Sequence, residues 1–361
     1  MTKTPKENHE IPALQQTDFE RITQIVRSEF EVEEALIQNG TSTYYLKWPQ
    51  ETKQPFLKLL NKLKELNLIA LLRKEDRIVL RVITKPSVKP SNKKIYWAFF
   101  IATIVTTFIT GYFSFGGTGL NPVLSGIIFS AAIMTVLGLH EMGHKITANR
   151  KKVEATSPYF IPGPPPLGTL GAVIMQKSLP PNRDALFDIG ANGPLAGFIV
   201  ALAFSAVGLT LLVPTTIPAG EGLSLMPVSW WYILLPALDY LHLIPPLTGA
   251  YNGYSLHPIA WAGWAGMVVT MLNLLPAAML DGGHVAKSLV PDKLRYILTI
   301  ASVAVLLLSG TQFLVFAFIV IFMSFLKHPG PLDDVSKVST SRKILTVILI
   351  AAFTLSFPLT V

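Results

Sequence analysis

The chain contains no cysteine. Disulfides are therefore excluded, and with them thiolate metal sites and a cysteine nucleophile. Any metal must be held by His, Asp or Glu. Charge is scarce as well. Only 14% of the 361 residues are charged, against about 25% in ordinary soluble domains. A cleavable leader is not expected either. The first 30 residues carry Glu7, Glu10, Asp18 and Glu20 and have no apolar core, unlike a cleavable signal peptide or an acid-poor transit peptide. The first apolar span is then expected to act as the insertion signal.

What is abundant is hydrophobic. Half the residues are apolar and the mean hydropathy is +0.47. After residue 95 the apolar residues gather into stretches long enough to cross a bilayer, which takes roughly 20 residues. The chain is expected to be an integral, multi-pass protein whose surroundings are a lipid bilayer. The net charge of +8 does not point to nucleic acid. No basic patch interleaved with aromatics stands out, and basic residues cluster beside the apolar spans, where they set orientation.

Residues 1–90 read as a small cytosolic α+β accessory domain. "TDFERITQIVRSEF" (17–30) has helical spacing behind a Thr/Asp cap. "STYYLKW" (42–48) suits a strand, "QPFLKLLNKLKELN" (54–67) an amphipathic helix, and "LIALLRKEDRIVLRVI" (68–83) a hairpin turning at Lys74–Asp76. The expected order is αβαββ. A Pro/Ser/Lys linker runs through 91–94, and residues 95–361 form the membrane domain, with its core at about 120–290.

The fold class expected for that domain is mainly α, a polytopic helix bundle of about seven spans with a membrane-associated β segment. The spans fall near 95–113, 122–147, 186–213, 255–279, 295–309, 311–326 and 343–361. Lys93 and Lys94 precede the first span, so the positive-inside rule places the N-terminus in the cytoplasm. Lys145, Arg150, Lys151 and Lys152 follow the second span, and no Lys or Arg occurs from Asp184 to Ala286. The region 214–254 then lies outside, and 228–245 reads as an interfacial or re-entrant segment, not an eighth span. The expected setting is the cell membrane of a prokaryote.

One stretch carries chemistry. In "LGLHEMGHKI" (138–147), His140 and His144 stand at i and i+4 on one helix face. That spacing suits two nitrogen ligands on one zinc ion, with Glu141 beside them as a base for an activated water. An ionisable group inside a membrane is functional by default. A catalytic zinc needs a third ligand and an open position. Asp281 in "MLNLLPAAMLDGGHVAKSLVP" (271–291) is the first candidate, and the charge pattern places it at the same membrane face. Pro276 breaks the helix, and Gly282 and Gly283 allow a turn. Asn273, two turns deeper, can polarise a substrate carbonyl. His284 is the second candidate for the third ligand. A divalent-metal transporter and a silent scaffold are weaker readings. The ionisable groups collect at one face, not along a path, and a scaffold would not need Glu141.

HEMGH in an early span, with NLLPAAMLDGG near the end of a later one, resembles the site-2 protease family of intramembrane metalloproteases. The likeness covers about 120–290 and is closest to a subgroup of plastid members and their prokaryotic relatives. "LGTLGAVI" resembles the family's membrane-associated strand, and "NGPLAG" its Gly-Pro helix motif. The resemblance implies one Zn2+ held by His140, His144 and Asp281, with Glu141 as base and Asn273 orienting substrate. The implied activity is cleavage of transmembrane segments of single-span membrane proteins. An extended Gly168–Met175 can pair with an unwound substrate by strand addition, so Gly168, Gly171, Ala172 and Val173 are substrate-binding candidates, together with Asn192. Small residues at 193–197 let helices pack closely. The spans after residue 295 carry no evident chemistry and pack around the core or form a homodimer contact.

Overall fold

A computed structural model describes residues 16–87, 92–217, 228–249, 251–326 and 328–358. The molecule is mainly helical, with a small share of strand. It divides into two compact units. One comprises Met1–Lys89, Leu179–Arg183 and Gly330–Lys337, the other Pro90–Ser178, Asp184–Pro329 and Val338–Val361.

The first unit runs α1 (Gln16–Arg27), β1 (Val32–Gln38), β2 (Thr41–Leu46), α2 (Lys53–Lys64), β3 (Leu68–Lys74) and β4 (Ile78–Thr84). Its sheet is antiparallel in the order β1-β2-β4-β3. Ile22 and Val26 of α1 and Phe56, Leu59 and Leu63 of α2 are buried against Tyr44, Leu72, Leu80 and Val82 of the sheet. The order is αββαββ, so the expected αβαββ lacked β1. Glu33, Glu34 and Gln38 face solvent on this edge strand, and their polarity hides its alternation. Its signal lay in the next two residues. Asn39 and Gly40 both take positive φ, 51° and 72°, as a two-residue hairpin turn with right-handed strand twist requires.

The β3 edge is continued by residues from far along the chain. Leu72 N–H donates to the Leu332 carbonyl at 2.9 Å, and Asp334 N–H donates to the Leu72 carbonyl at 3.1 Å. Leu332 and Asp333 N–H groups in turn donate to the carbonyls of Pro180 and Pro181, at 2.8 and 3.0 Å. Prolines have no N–H to offer a further strand, so the pair suits the outer edge. Asp333 is fully buried and accepts from the N–H groups of Val335 and Ser336, both at 2.9 Å. Arg183 pairs with Asp334 at 2.9 Å.

The second unit contains α3 (Lys93–Ser114), α4 (Pro122–Arg150), β5 (Tyr159–Pro162), β6 (Thr169–Val173), α5 (Arg183–Thr210), β7 (Val213–Thr215), α6 (Ser229–Tyr240), β8 (Gly253–Ser255), α7 (Pro258–Leu274), α8 (Asp281–Leu289), α9 (Asp292–Leu308), α10 (Leu314–Ser324) and α11 (Thr340–Ser356), α5 joining it after Arg183. Among the described residues three helices, α3, α4 and α5, are long and apolar enough to cross a membrane. α7, α9 and α11 have 17 residues each. At about 1.5 Å per residue each falls short of a hydrocarbon core about 30 Å thick. α6 lies within the stretch expected to be interfacial or re-entrant.

Close helix contacts follow small residues, as in other apolar surroundings. A Cβ at Gly111 of α3 would stand 2.9 Å from Gly126 Cα of α4. The Thr107 and Ser130 hydroxyls bond across the same pair at 2.8 Å. α7 stops at Leu274 because Pro276 cannot continue it. Asp281 therefore opens a separate short helix and does not end the preceding one. Gly282 and Gly283 lie inside α8 rather than in a turn. A Cβ at Gly283 would meet the Ala277 and Ala278 carbonyls at 2.5 Å, so their lack of side chains lets α8 fold back over the loop.

Replacing Asp333 with Ala leaves the Val335 and Ser336 N–H groups without their acceptor, at a cost of roughly 1–3 kcal/mol for the buried Ser336 group. Hydrogen exchange on the full chain should show faster exchange at the Leu72 and Asp334 amides. Unchanged exchange at both would contradict the added-strand account.

Candidate metal centre

α4 places His140 and His144 one turn apart, and both side chains are buried. α8 brings Asp281 to them from 137 residues further on. Asp281 Oδ2 lies 3.2 Å from His140 Nε2 and 3.1 Å from His144 Nε2, and the two Nε2 atoms are 3.2 Å apart. Asn273 Nδ2, from the last turn of α7, is also 3.2 Å from His140 Nε2. A single lone pair or N–H cannot satisfy three partners, so hydrogen bonding alone does not explain this convergence. A cation does. Zinc bonds of about 2.0–2.1 Å in tetrahedral array put donors about 3.3 Å apart, close to the observed triangle. The Glu141 carboxylate, also buried, lies within 4.8 Å of the histidine donor atoms.

Groups that are not donors fix the rings. His144 Nδ1–H donates to the Ile189 carbonyl at 2.7 Å, which leaves Nε2 with the free lone pair a metal needs. Ile189 stands in α5 just before Pro194, which has no N–H for the Gly190 carbonyl and loosens the helix there. Gly190, Gly193 and Gly197 form one face of α5. A Cβ at Gly193 would land on the His144 ring, one at Gly197 would stand 2.9 Å from His140 Nδ1, and one at Gly190 would meet the Asp281 carbonyl at 2.8 Å. The small residues of the third long helix thus pack on the donor side chains themselves.

A cavity of about 190 Å³ opens over these groups, lined by His140, Glu141, His144, Asn273, Asp281 and His284 together with Ala172, Val173, Met279 and Met323. Ala172 and Val173 belong to β6, so the strand borders the cavity. Gly171 of that strand has φ +104° and open space beside it. Gly168 is placed elsewhere, against α3, where Thr106 Oγ1 donates to its carbonyl at 2.6 Å. Asn192 is also outside the lining and donates to Thr147 Oγ1 at 2.9 Å, tying α5 to α4. Two features had no signal in the sequence pattern. The Ile189 carbonyl is backbone, and His328, whose Nε2 lies 2.8 Å from His284 Nδ1, sits beyond every motif. The glycine spacing 190, 193, 197 did carry a signal, a small-residue helix face.

Comparison with known proteins places the chain in a family. The profile of Peptidase family M50 matches residues 128–317. The chain is 32% identical over 221 residues to the probable zinc metalloprotease EGY1, chloroplastic, of Arabidopsis thaliana, covering 59% of this chain and 39% of that protein. It is 34% identical over 167 residues to the rice protein of the same name (Oryza sativa subsp. japonica), covering 45% and 28%. The probable zinc metalloprotease EGY2, chloroplastic, of Arabidopsis is 31% identical over 221 residues, covering 60% and 38%. The chain thus spans well under half the length of these relatives. No solved structure matches it. The relatives are chloroplastic, which conflicts with the expectation of a prokaryotic cell membrane.

Gly193→Ala should displace the His144 ring and weaken zinc binding by about 10–100-fold, as loss of ligand orientation does elsewhere. Competition with a chelator reads this. Gly116→Ala, with open space around it, is the control. Equal affinity in both variants would dissociate the glycine face from the metal site.

Proposed function

The chain belongs to Peptidase family M50, and from that premise we propose that it is a zinc-dependent intramembrane endopeptidase cutting the transmembrane segments of single-span membrane proteins. The observation that carries the reading is the meeting of His140, His144 and Asp281 beside Glu141, in a cavity at the end of a long apolar helix. The donor set fits zinc, with two imidazole nitrogens, one carboxylate oxygen and an open side toward the cavity. When bound, zinc supplies a Lewis acid that acidifies water toward a pKa of about 7 and polarises a carbonyl.

The chain's own residues do the rest. Glu141 takes a proton from the attacking water and delivers it to the leaving amine as the peptide C–N bond breaks. The Asn273 amide donates to the scissile carbonyl and holds it against the attacking oxygen. A helical substrate shields its peptide bonds, so the cut requires a few residues to unwind. Among the described residues β6 is paired along its length with β5 alone, and its other edge offers backbone partners to that unwound stretch. Ala172 and Val173 border the cavity there, and Leu170, Val173 and Met175 expose apolar side chains that a transmembrane sequence can cover.

The topology belongs to the same proposal. Seven spans with a cytoplasmic N-terminus put the metal centre near the inner face, with the shorter helices α7, α9, α10 and α11 completing their crossings by tilt, flanking residues or local thinning. The spans after residue 295 pack around the core or meet a second copy.

Purified wild type should cleave members of a panel of single-span test proteins in a zinc-dependent manner, whereas Glu141→Gln should show no cleavage and Asp281→Ala should lose zinc by metal analysis. Equal processing by wild type and Glu141→Gln would remove the base assignment. Because the chain has no cysteine, single introduced cysteines report topology cleanly. A membrane-impermeant maleimide should label Lys152→Cys and Thr248→Cys from opposite sides. Labelling from the same side would overturn the span count.

A further inference from the structure

His284 and His328 stand outside the donor triad but not outside its chemistry. His284 lies one turn beyond Asp281 on α8 and lines the catalytic cavity. His328 follows α10 and is buried. Their rings meet edge to face, with centroids 4.8 Å apart, and His284 Nδ1 is 2.8 Å from His328 Nε2. Burial holds both imidazoles below their ordinary pKa, His328 down to about 3, with Arg295 near each opposing a further positive charge. Burial thus favours the neutral form of both rings, and nitrogens 2.8 Å apart share one proton between them.

Two tautomeric arrangements are available. If His284 Nδ1 carried the proton, Nε2, the nitrogen that His328 leaves unengaged, would be a bare lone pair in a ring that lines the cavity together with the Glu141 carboxylate. If His328 Nε2 carries it, His284 accepts at Nδ1 and presents Nε2–H instead. An N–H is favoured over a lone pair beside a carboxylate, and Glu141 stays uncommitted when Asp281 holds the cation, so Glu141 selects the second arrangement.

We propose that His284 is a further catalytic residue, whose Nε2–H donates to the oxyanion developing on the scissile carbonyl, and that His328 is a positioning residue which holds His284 in that tautomer. The proposal rests on the peptidase reading above. It assigns the cavity a second donor beside Asn273, carried by a different helix and independent of the ligand set. A neutral donor suits this task because it needs no change of protonation during the reaction and costs little reorganisation. Dependence of a ring's role on what its other nitrogen touches is the general behaviour of histidine in such sites.

Two readouts test it. The first needs no activity. In full-length protein labelled with 15N-histidine, the His284 resonances, assigned by their loss in His284→Gln, should show Nδ1 without and Nε2 with a proton. His328→Leu should shift them toward a mixture of tautomers. A protonated Nδ1 in the wild type would overturn the proposal. The second uses a single-span test protein that the wild type cleaves. His284→Leu should lower kcat by about 10²–10³-fold, with KM within about twofold and zinc content unchanged. His328→Leu should lower kcat by about 10–100-fold, and His328→Gln, which keeps an N–H donor, should restore most of it. Unchanged kcat in His284→Leu, or loss of zinc from it, would overturn the role of His284 alone. Failure of the wild type to cleave any test protein would overturn the peptidase reading, and this role with it.

Discussion

Two imidazole nitrogens and a carboxylate oxygen from two distant parts of the chain meet within about 3.2 Å, and the local structure around them answers to that constraint. Two of the three cost little, because one turn of α4 delivers both imidazoles on one face. The third is demanding. α7 must end early, the chain must turn through Pro276 and Ala278, and α8 must begin with a carboxylate aimed back at α4. Ala278 takes a φ of 47° to make that turn, a left-handed conformation that a non-glycine residue adopts at some energetic cost. A half-buried carboxylate beside two buried rings is itself expensive unless a cation or matched protons compensate it. The bend is thus stabilised by what it assembles.

The same constraint explains where side chains are absent. Gly190, Gly193 and Gly197 line the face of α5 that lies against Asp281, His144 and His140. In lipid there is little hydrophobic drive between helices, and close van der Waals approach carries much of their association. Here the approach does a second task. It packs against the imidazoles, so that they cannot swing toward α5. His144 is also held by the Ile189 carbonyl, which fixes its tautomer, so packing and hydrogen bonding restrain the same ring from two directions.

Much of this was legible in the sequence, and the reasons differ by residue. His140, Glu141 and His144 declare themselves because their spacing matches a helical turn and their polarity breaks an apolar run. Asn273 and Asp281 declare themselves by a motif whose proline marks the end of a helix. β1 was legible and missed, since Asn39-Gly40 marks a hairpin while three outward-facing polar residues mask the strand before it. Helix lengths were not legible, because an apolar run records what the environment tolerates and not where hydrogen bonding stops. α7 shows this: the run continues to residue 279, while the helix ends at Leu274. His328 was illegible for another reason. Its partner is 44 residues away, and nothing local in a histidine after an apolar run states what it will face.

The start of α5 bears on how the metal centre is held. Leu179–Arg183 runs directly into α5, whose Ile189 and glycine face follow within two to four turns. Gly330–Lys337 begins two residues after His328 and ends just before Ser339, whose N–H donates to Asp184 at 2.8 Å. Three residues later Arg342 pairs with Asp188 at 2.7 Å, and Lys151, just past the end of α4, pairs with the same carboxylate at 2.7 Å. The first turns of α5 are therefore clamped by charge-assisted bonds from α11 and from the end of α4. Such bonds are shorter and stronger than neutral ones, and Asp188 immediately precedes the carbonyl that sets the tautomer of His144. A ligand ring in this site is only as fixed as the helix start that carries its partner, and that start is tied to the same helix, α4, that supplies the ring.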